Sequence, residues 1–148
     1  IQKKYGEIMN YDQENIFAKI LRNEANCIKV YEDSKVLAFM DVMPQAPGHT
    51  LVIPKFETTD LINLPDEYLD PLLKATRNIA AAIKKVYSPT GVMILQLNGK
   101  EAGQTVFHLH FHIIQRSEGL NYRFHSRDIE DTEILENEAK KIRQAIVI

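Results

Sequence analysis

The sequence predicts an α+β domain built around a mostly antiparallel sheet. Short runs of strand-forming residues are separated by turn-forming residues at close spacing, which favours hairpins and therefore antiparallel neighbours. Two longer segments, one in the middle of the chain and one near its end, carry apolar residues at helical spacing. Because no internal repeat and no linker divides the 148 residues, we expect one domain with one hydrophobic core.

Three helices are predicted, and Asp12 is a candidate N-cap for the first of them. The apolar stripe of this first helix comprises Ile16, Phe17, Ile20 and Leu21. The Asp70-Pro71 pair predicts the start of the second and longest helix, since an N-cap aspartate is followed by a proline at the first helical position. Residues 131–146 predict a third, amphipathic helix. Its apolar stripe comprises Leu135, Ala139, Ile142 and Ile146.

Five strands are predicted around these helices. They are residues 27–31, 35–41, 49–53, 92–97 and 104–115. Turn-forming residues 32–34 join the first two strands, and a loop containing proline and glycine at residues 44–48 precedes the third. Residues 88–91 end the long helix before the fourth strand begins, so the strands form consecutive hairpins with one helical excursion.

The composition limits the partners that the protein can have. The net charge of -2 gives no electrostatic reason to expect binding to nucleic acid or to an anionic membrane. No apolar run reaches the ~18 residues that a membrane span needs. The lone cysteine, Cys27, cannot form an intrachain disulfide, which fits a reducing compartment. We therefore expect a cytoplasmic protein without nucleic-acid or membrane partners.

Three histidines alternate with apolar residues in the last predicted strand. Alternate side chains of a strand share a face, so His108, His110 and His112 are expected on one side, together with Gln104. The opposite side, which is expected to pack on the core, comprises Thr105, Phe107, Leu109, Phe111 and Ile113. Neighbours on one face lie ~7 Å apart along the backbone, so the imidazoles can converge on one ligand. A single histidine could simply occupy a half-exposed strand face without a function, but this explanation fits three histidines in strict alternation less well.

Two kinds of chemistry fit three converging imidazoles. Neutral imidazoles can bind zinc or another transition ion and leave one coordination position open. Alternatively, one imidazole attacks phosphorus while the others stabilise the developing charge. Gly99 and Gly103 frame a loop whose amides can approach an oxyanion, and a further histidine, His49, begins the third strand. These features, with neutral hydrogen-bonding groups on Gln104 and Thr105, favour nucleotidyl transfer over the metal site.

Two blocks of the sequence resemble one known family. Residues 103–114 are similar to the motif of the histidine triad (HIT) family, in which histidines alternate with apolar residues. Residues 38–55 resemble the N-terminal signature of the same family. The two blocks occur in the expected order. The resemblance extends from about Asn15 to Arg116 and is nearest to the Hint branch of the family.

The resemblance implies a five-stranded antiparallel sheet, usually in a homodimer. It also implies hydrolysis or transfer of nucleoside 5′-monophosphates, such as AMP, that are attached to nitrogen, oxygen or phosphate leaving groups. It implies that His110 is the nucleophile and forms a nucleotidyl-histidine intermediate. His112 and His49 match residues that contact the phosphate, whereas His108 matches the first triad histidine, which helps to order the site. The residues expected near the phosphate and the leaving group are Asn98, Gly103, Gln104 and Thr105.

The resemblance also implies a nucleoside pocket. Asp41 matches the residue that accepts hydrogen bonds from ribose hydroxyls. The residues that match the walls of the base pocket are Ile16, Phe17, Phe39, Val42 and Leu51. Strand parity supports part of this set, because Phe39 and Asp41 share one face of a strand. Without the family, Phe17, Phe39 and Leu51 would each be assigned to the hydrophobic core.

The chain departs from the family pattern at a few positions. Asn15 and Ala18 stand where many relatives have paired cysteines, and Glu57 stands near the position of a histidine. We therefore expect no structural zinc and no cofactor. The loop at residues 99–103 is slightly shorter than in animal relatives, which leaves its contacts with a leaving group open.

We expect three segments. Residues 1–12 are predicted to be a mobile N-terminal segment in which Met9 is a candidate natural start, residues 13–116 a HIT-like catalytic domain, and residues 117–148 a C-terminal extension with a helix. That helix could pack on the domain, on a partner subunit or over the site. The predicted activity is cleavage of purine nucleoside phosphoramidates. Alternatives are dinucleoside polyphosphate hydrolysis, a regulatory nucleotide-binding module with incidental hydrolysis, and a metalloprotein.

Overall fold

The computed structural model describes residues 10–121 and 128–147 and confirms the α+β fold. The strands are β1 (Lys29–Glu32), β2 (Val36–Met40), β3 (Thr50–Pro54), β4 (Gly91–Gln96) and β5 (Phe111–Arg116). The helices are α1 (Ile16–Leu21), α2 (Asp66–Tyr87) and α3 (Thr132–Ala145), with a 3₁₀ turn at Lys100–Ala102. The strands form one sheet in the order β1-β2-β3-β5-β4, and every neighbouring pair is antiparallel. The expectation of a five-stranded antiparallel sheet is therefore confirmed.

The two faces of the sheet carry different layers. On one face, the alternate side chains of β2 and β3, such as Ala38 and Val52, pack with α2 and α3 in the larger hydrophobic cluster. On the other face, α1 covers a smaller cluster. Its buried members are Phe17, Ile20, Leu37, Phe39, Leu51 and Ile53. Both faces of β2 and β3 are buried, which explains why these strands are almost continuously apolar rather than alternating.

Helix α2 begins earlier than predicted. The start expected at Asp70-Pro71 is wrong, because the helix begins at Asp66 and Pro71 lies inside it. The earlier start is favoured because Asp66 and Glu67 place negative charge in the first turn, near the positive end of the helix dipole. In addition, Tyr68 packs against the larger cluster. The missing N–H of Pro71 costs the helix one backbone hydrogen bond near its start.

The N-cap of α1 is also different from the predicted one. Asn15, not Asp12, caps the helix, and its Oδ1 accepts a hydrogen bond from the Ala18 N–H at 2.9 Å. The Asp12 carboxylate instead accepts from the Glu14 N–H at 2.8 Å and stabilises the turn before the helix. Both Asp12 and Asn15 can act as N-caps, and Asn15, which directly precedes the apolar stripe, is the residue at which the helix begins.

The C-terminal helix packs on its own domain. Three members of the predicted stripe are confirmed, since Leu135, Ala139 and Ile142 are fully buried in the larger cluster, whereas Ile146 is the C-cap beyond the helix and packs only partly buried against that cluster. Helix α3 contacts α2 and the edge strand β1. Of the N-terminal segment expected to be mobile, residues 1–9 lie outside the described residues, as do 122–127 of the C-terminal extension. None of the helices in the described part of the chain is long and apolar enough to cross a membrane.

The strand that carries the histidines is much shorter than predicted. Strand β5 begins at Phe111, so the expectation of a strand over residues 104–115 is wrong for its first half. The pairing of β4 with β5 ends where Gln96 meets Phe111, and the residues before Phe111 therefore have no further β4 partner. The preceding segment bends instead, with the Leu109 N–H bonded to the Thr58 carbonyl at 2.9 Å.

Candidate active site

Four histidines come together where β3 and β5 lie side by side. His49 immediately precedes β3, and His112 lies on β5 opposite Leu51 of β3. The ring centroids of His49 and His112 are 5.2 Å apart, and those of His110 and His112 are 4.9 Å apart. His108 and His110 reach the same region from the bent segment, not from a continuous strand. The convergence expected from strand parity is therefore achieved by a different backbone path.

Hydrogen bonds determine where His49 and His112 carry their protons. The Gln45 N–H donates to His49 Nδ1 at 3.0 Å, so Nδ1 is an acceptor and the proton of neutral His49 must be on Nε2. This Nε2–H donates to His112 Nδ1 at 2.9 Å. His112 Nδ1 is therefore unprotonated as well, and the proton of His112 is on Nε2. The His112 Nε2–H is left available to donate to a ligand.

His110 has the opposite tautomer. Its Nδ1 lies 2.7 Å from the backbone carbonyl oxygen of His108, and a carbonyl can only accept, so Nδ1 carries the proton. The Nε2 atom of neutral His110 therefore keeps its lone pair. The Phe17 and His110 rings form a T-shaped pair, with centroids 5.0 Å apart and planes at 85°. The arrangement presents one nucleophilic nitrogen next to one hydrogen-bond donor, the His112 Nε2–H.

His108 is completely buried and has two hydrogen-bond partners. Its Nε2 donates to the Pro54 carbonyl at 3.0 Å, and its Nδ1 accepts from the Tyr11 hydroxyl at 2.6 Å. Tyr11 was not among the predicted site residues and falls within the segment expected to be mobile. A lone tyrosine before a helix cap carries no pattern that points to a histidine 97 residues away.

Burial keeps the histidines neutral. It lowers the pKa of His49 to about 3 and the pKa values of His108 and His112 to about 4, with a smaller contribution from neighbouring histidines. Burial also lowers the pKa of His110. The pKa of Asp41 is raised to about 6, again by burial, against the hydrogen bond that its carboxylate accepts from the Met43 N–H. At neutral pH the site thus combines neutral imidazoles with one carboxylate.

A cavity of about 520 Å³ lies in front of His110 and His112. Its lining comprises Asp41, Met43, Gln45, Leu95, Leu97, Ala102, Gly103, Thr105, His110 and His112. The apolar part of this wall was not predicted, since leucines of β4 and of the loop after it carry no local signal of a site. A larger groove of about 870 Å³ contains none of the histidines, and its two lysines, Lys29 and Lys55, both pair with Glu32. Position and chemistry therefore select the smaller cavity.

Two of the residues expected near the phosphate line this cavity and two do not. Gly103 and Thr105 form part of its wall. Asn98 instead accepts the Leu61 N–H through Oδ1, and the buried Gln104 amide donates to the Thr59 and Val106 carbonyls. The polar atoms of Asn98 and Gln104 thus stabilise the backbone on either side of the 3₁₀ turn through hydrogen bonds within the protein.

The residues expected to form the nucleoside pocket divide in a similar way. Asp41 lines the cavity, and its Oδ2 lies 3.4 Å from His49 Nε2. Ile16 and Val42 are large exposed apolar side chains, 47% and 45% accessible. The remaining members, Phe17, Phe39 and Leu51, are buried in the smaller cluster. The two phenylalanines pack edge to face, 5.3 Å apart, so the structure gives them a core role whether or not they also border a base.

One group of the described residues comes close enough together to hold a metal ion. Ligand atoms of Asp41, His49 and His112 lie within 4.8 Å of one another. However, the proton of His49 is on the Nε2 atom that faces the other two, because its Nδ1 accepts the Gln45 N–H. A protonated nitrogen cannot ligate a metal, so this set fits an ion poorly. Asn15 and Ala18, at the positions of the relatives' cysteines, are used to cap and pack α1.

Comparison with known proteins identifies the family. A sequence profile of the HIT domain matches residues 22–119. The crystal structure of a HIT-like protein involved in cell-cycle regulation from Bartonella henselae has a TM-score of 0.88 and 51% sequence identity, covering 93% of this chain and 100% of that one. A Zn-bound histidine triad family protein from Mycobacterium smegmatis has a TM-score of 0.77 and 34% identity, covering 90% and 93%. The adenosine 5′-monophosphoramidase of Candida albicans is 36% identical over 107 residues, 70% of each chain. This chain belongs to the HIT family.

Proposed function

We propose that this protein is a nucleotide hydrolase that cleaves purine nucleoside 5′-phosphoramidates through a nucleotidyl-histidine intermediate on His110. The proposal depends above all on one observation, that His110 Nδ1–H donates to the His108 carbonyl and leaves the Nε2 lone pair free. His110 lines the cavity, and its lowered pKa keeps that lone pair unprotonated at neutral pH. The similarity to an enzyme named as an adenosine 5′-monophosphoramidase supports the same activity.

The reaction has two steps. His110 Nε2 attacks the α-phosphorus, the P–N bond to the leaving amine breaks, and the amine leaves with the bonding electron pair and a proton from solvent. Water then attacks the phosphorus, the P–Nε2 bond breaks, and the proton released by water returns to solvent. The products are a nucleoside monophosphate and an amine. Dividing the reaction in this way replaces one high barrier by two lower ones.

Neighbouring groups stabilise the charge that develops during these steps. The His112 Nε2–H is positioned to donate to a phosphoryl oxygen, because His112 Nδ1 is already occupied by the His49 Nε2–H. The positive charge on nucleotidyl-His110 is stabilised by the His108 carbonyl, which accepts the Nδ1–H. His49 therefore contributes indirectly, by determining which nitrogen of His112 carries the proton.

The cavity wall favours a neutral amine as the leaving group. The leucines of the wall, Leu95 and Leu97, are apolar, and no lysine or arginine is found among its described residues. A polyphosphate leaving group carries several negative charges and needs such cations or a metal to balance them. Phosphoramidates are therefore preferred over dinucleoside polyphosphates, which remain the second candidate because the family resemblance includes them.

Nucleoside recognition is proposed from the placement of the predicted residues. Asp41 borders the cavity and accepts the ribose hydroxyls, and Ile16 and Val42 offer exposed apolar surface to a purine. Phe17, Phe39 and Leu51 are members of the smaller cluster and are proposed to support the nucleoside pocket from the core. An apolar base wall distinguishes weakly among bases, so selectivity for the ribose should exceed selectivity for the base.

A homodimer in the cytoplasm is part of the proposal. Strand β4 is at an edge of the sheet, and Ile94 in its centre is 47% accessible, as expected for a strand that pairs with a second copy. The single cysteine, Cys27, is a free thiol in this structure, in keeping with a reducing compartment. Light scattering of the wild type and of Ile94→Lys tests the dimer, which should dissociate in the variant.

The decisive experiment measures turnover of adenosine 5′-phosphoramidate by the wild type and by His110→Ala, each with and without a chelator. Hydrolysis that resists the chelator and is lost in His110→Ala supports the proposal, as does an AMP adduct on His110 in protein denatured at alkaline pH, where the P–N bond survives. Chelator-sensitive hydrolysis would instead support a metal mechanism. Tight AMP binding without turnover of this substrate or of diadenosine polyphosphate would support a regulatory nucleotide-binding module.

A further inference from the structure

The Tyr11 side chain makes a close contact with the first histidine of the triad. Its hydroxyl lies 2.6 Å from His108 Nδ1, and the two rings meet edge to face with centroids 5.7 Å apart. Tyr11 precedes the region that matches the HIT-domain profile, residues 22–119. The contact therefore adds a residue from outside the matched domain to the histidine cluster.

The hydrogen-bond geometry makes Tyr11 the donor. His108 Nε2 carries the proton, because it donates to the Pro54 carbonyl, and Nδ1 is therefore an acceptor. His108 is completely buried, so without a donor its Nδ1 would be an unsatisfied polar atom in the protein interior. Burial raises the pKa of the Tyr11 phenol, which keeps the hydroxyl protonated and able to donate at neutral pH.

Tyr11 is linked to the proposed nucleophile, His110, through His108. The backbone carbonyl of His108 accepts the Nδ1–H of His110 at 2.7 Å and so determines both the tautomer and the orientation of the His110 ring. Phe17 packs against both rings, 6.4 Å from His108 and 5.0 Å from His110 between centroids. Residues 106–110 bend outside any strand, so no sheet ladder holds this carbonyl. Its peptide group is held by the backbone hydrogen bond from the Leu109 N–H to the Thr58 carbonyl at 2.9 Å, and the contacts of the His108 ring add to that bond.

We propose that Tyr11 is a positioning residue for His110 that acts through His108. The Tyr11 hydroxyl and the Pro54 carbonyl hold the His108 ring from its two nitrogens, and the ring in turn holds the backbone carbonyl that orients His110. The effect on turnover depends on the proposed function, whereas the effect on His108 itself does not. Tyr11 does not touch the cavity in front of His110, so its removal should leave substrate binding intact.

The test compares Tyr11→Phe with Tyr31→Phe. Both variants remove one hydroxyl and keep the ring, and Tyr31 donates at 2.7 Å to Asp33, away from the histidines. For Tyr11→Phe, kcat on adenosine 5′-phosphoramidate should fall about three- to tenfold with KM unchanged, the range expected for the loss of one hydrogen bond. The ¹⁵N resonance of His108 Nδ1 should move toward that of an unbonded imidazole nitrogen. Tyr31→Phe should change neither quantity.

A double-mutant cycle separates positioning from general stabilisation. In a His108→Ala background, Tyr11→Phe should have no further effect on kcat, because its route to His110 is already removed. An equal fall in both backgrounds would overturn the proposal, as would an unchanged His108 resonance in Tyr11→Phe. If the wild type does not turn over the phosphoramidate, the proposed function fails, and the NMR comparison still decides whether Tyr11 holds His108.

Discussion

The two faces of the central sheet use the same strands for different purposes. The face under α2 and α3 is a continuous apolar layer. The face under α1 has a smaller apolar cluster and then the histidines and Asp41 at one end. His112 and Ile113 are neighbours in sequence and point to opposite faces, one next to Leu51 and the other next to Thr50. Alternation along one strand thus separates the proposed active site from the larger hydrophobic cluster at the level of single residues.

This separation is possible because β3 and β5 are central strands. Their backbone groups are hydrogen-bonded on both sides, so the positions of the side chains at this end of the sheet are well defined. A site built on such strands keeps its geometry without help from mobile loops. The bent segment that carries His108 and His110 lacks this strand pairing, and there the Leu109–Thr58 backbone hydrogen bond is supplemented by side chains such as Tyr11 and Phe17.

The largest effect is expected on the histidine face. His112→Ala removes the donor that faces the cavity and leaves the His49 Nε2–H without its acceptor. Turnover of adenosine 5′-phosphoramidate should fall about 10²- to 10³-fold, as when one donor to a transition-state oxygen is removed. The melting temperature should fall by only a few degrees, because His112 is only partly buried and the His49 Nε2–H that loses its acceptor still lies 3.4 Å from Asp41 Oδ2. Steady-state kinetics and thermal unfolding on the same preparations check both statements, and a turnover loss below about threefold would contradict the assigned role.

The opposite result is expected for the next residue. Ile113→Ala leaves a cavity in the larger cluster, where Ile113 is fully buried, and should lower the free energy of unfolding by about 2–5 kcal/mol. The kcat of the folded protein should stay within about twofold of the wild type, because the site is on the other face. Urea unfolding measures the first quantity, and active-site titration with kinetics measures the second. A large loss of kcat at full folding would mean that the two faces are not independent.

The pH dependence of KM should reflect the titration of the Asp41 carboxyl group. Its carboxyl has a pKa of about 6, so it loses its charge as the pH falls through that value and then accepts ribose hydroxyls less well. His49 and His112, which face it, have pKa values of about 3 and about 4 and stay neutral in this range. KM should therefore rise about fivefold between pH 6 and pH 5. Asp41→Asn should remove this dependence, and a deoxyribose substrate should show a weaker one.

The smallest effect is expected where the helix layer reaches the histidine loop. Glu138 of α3 accepts the Gly48 N–H at 2.8 Å, next to the residue that begins the histidine cluster. Glu138→Ala should lower the free energy of unfolding by about 1 kcal/mol and kcat by no more than about twofold. Glu136→Ala, on the exposed side of the same helix, is the matched control. If Glu138→Ala instead abolished turnover, α3 would belong to the site.

Local patterns predicted much of the fold and misplaced some of its boundaries. The apolar stripe of α3 and the five strands follow from periodicity, which depends only on which side chains must avoid water. The start of α2 was predicted too late in the chain, because the local pattern places Pro71 as the first helical residue. The packing of Tyr68 on the core outweighs the one backbone hydrogen bond that Pro71 cannot form. The length of β5 was overestimated, because alternation in the sequence does not reveal that its partner β4 has already ended at Gln96.

The sequence by itself determined the α+β class, the family and the candidate histidines, because these depend on residue types and spacings along the chain. Only the tertiary structure decided which nitrogen of each ring carries the proton. The tautomer of His49 is determined by the Gln45 N–H, and that of His110 by the His108 carbonyl. The tautomer of His108 is determined by the Pro54 carbonyl and the Tyr11 hydroxyl. The two partners of His108, Pro54 and Tyr11, are distant from it in sequence, whereas those of His49 and His110 are close. A hydrogen bond between distant groups exists only once the chain has folded, and no local pattern encodes it.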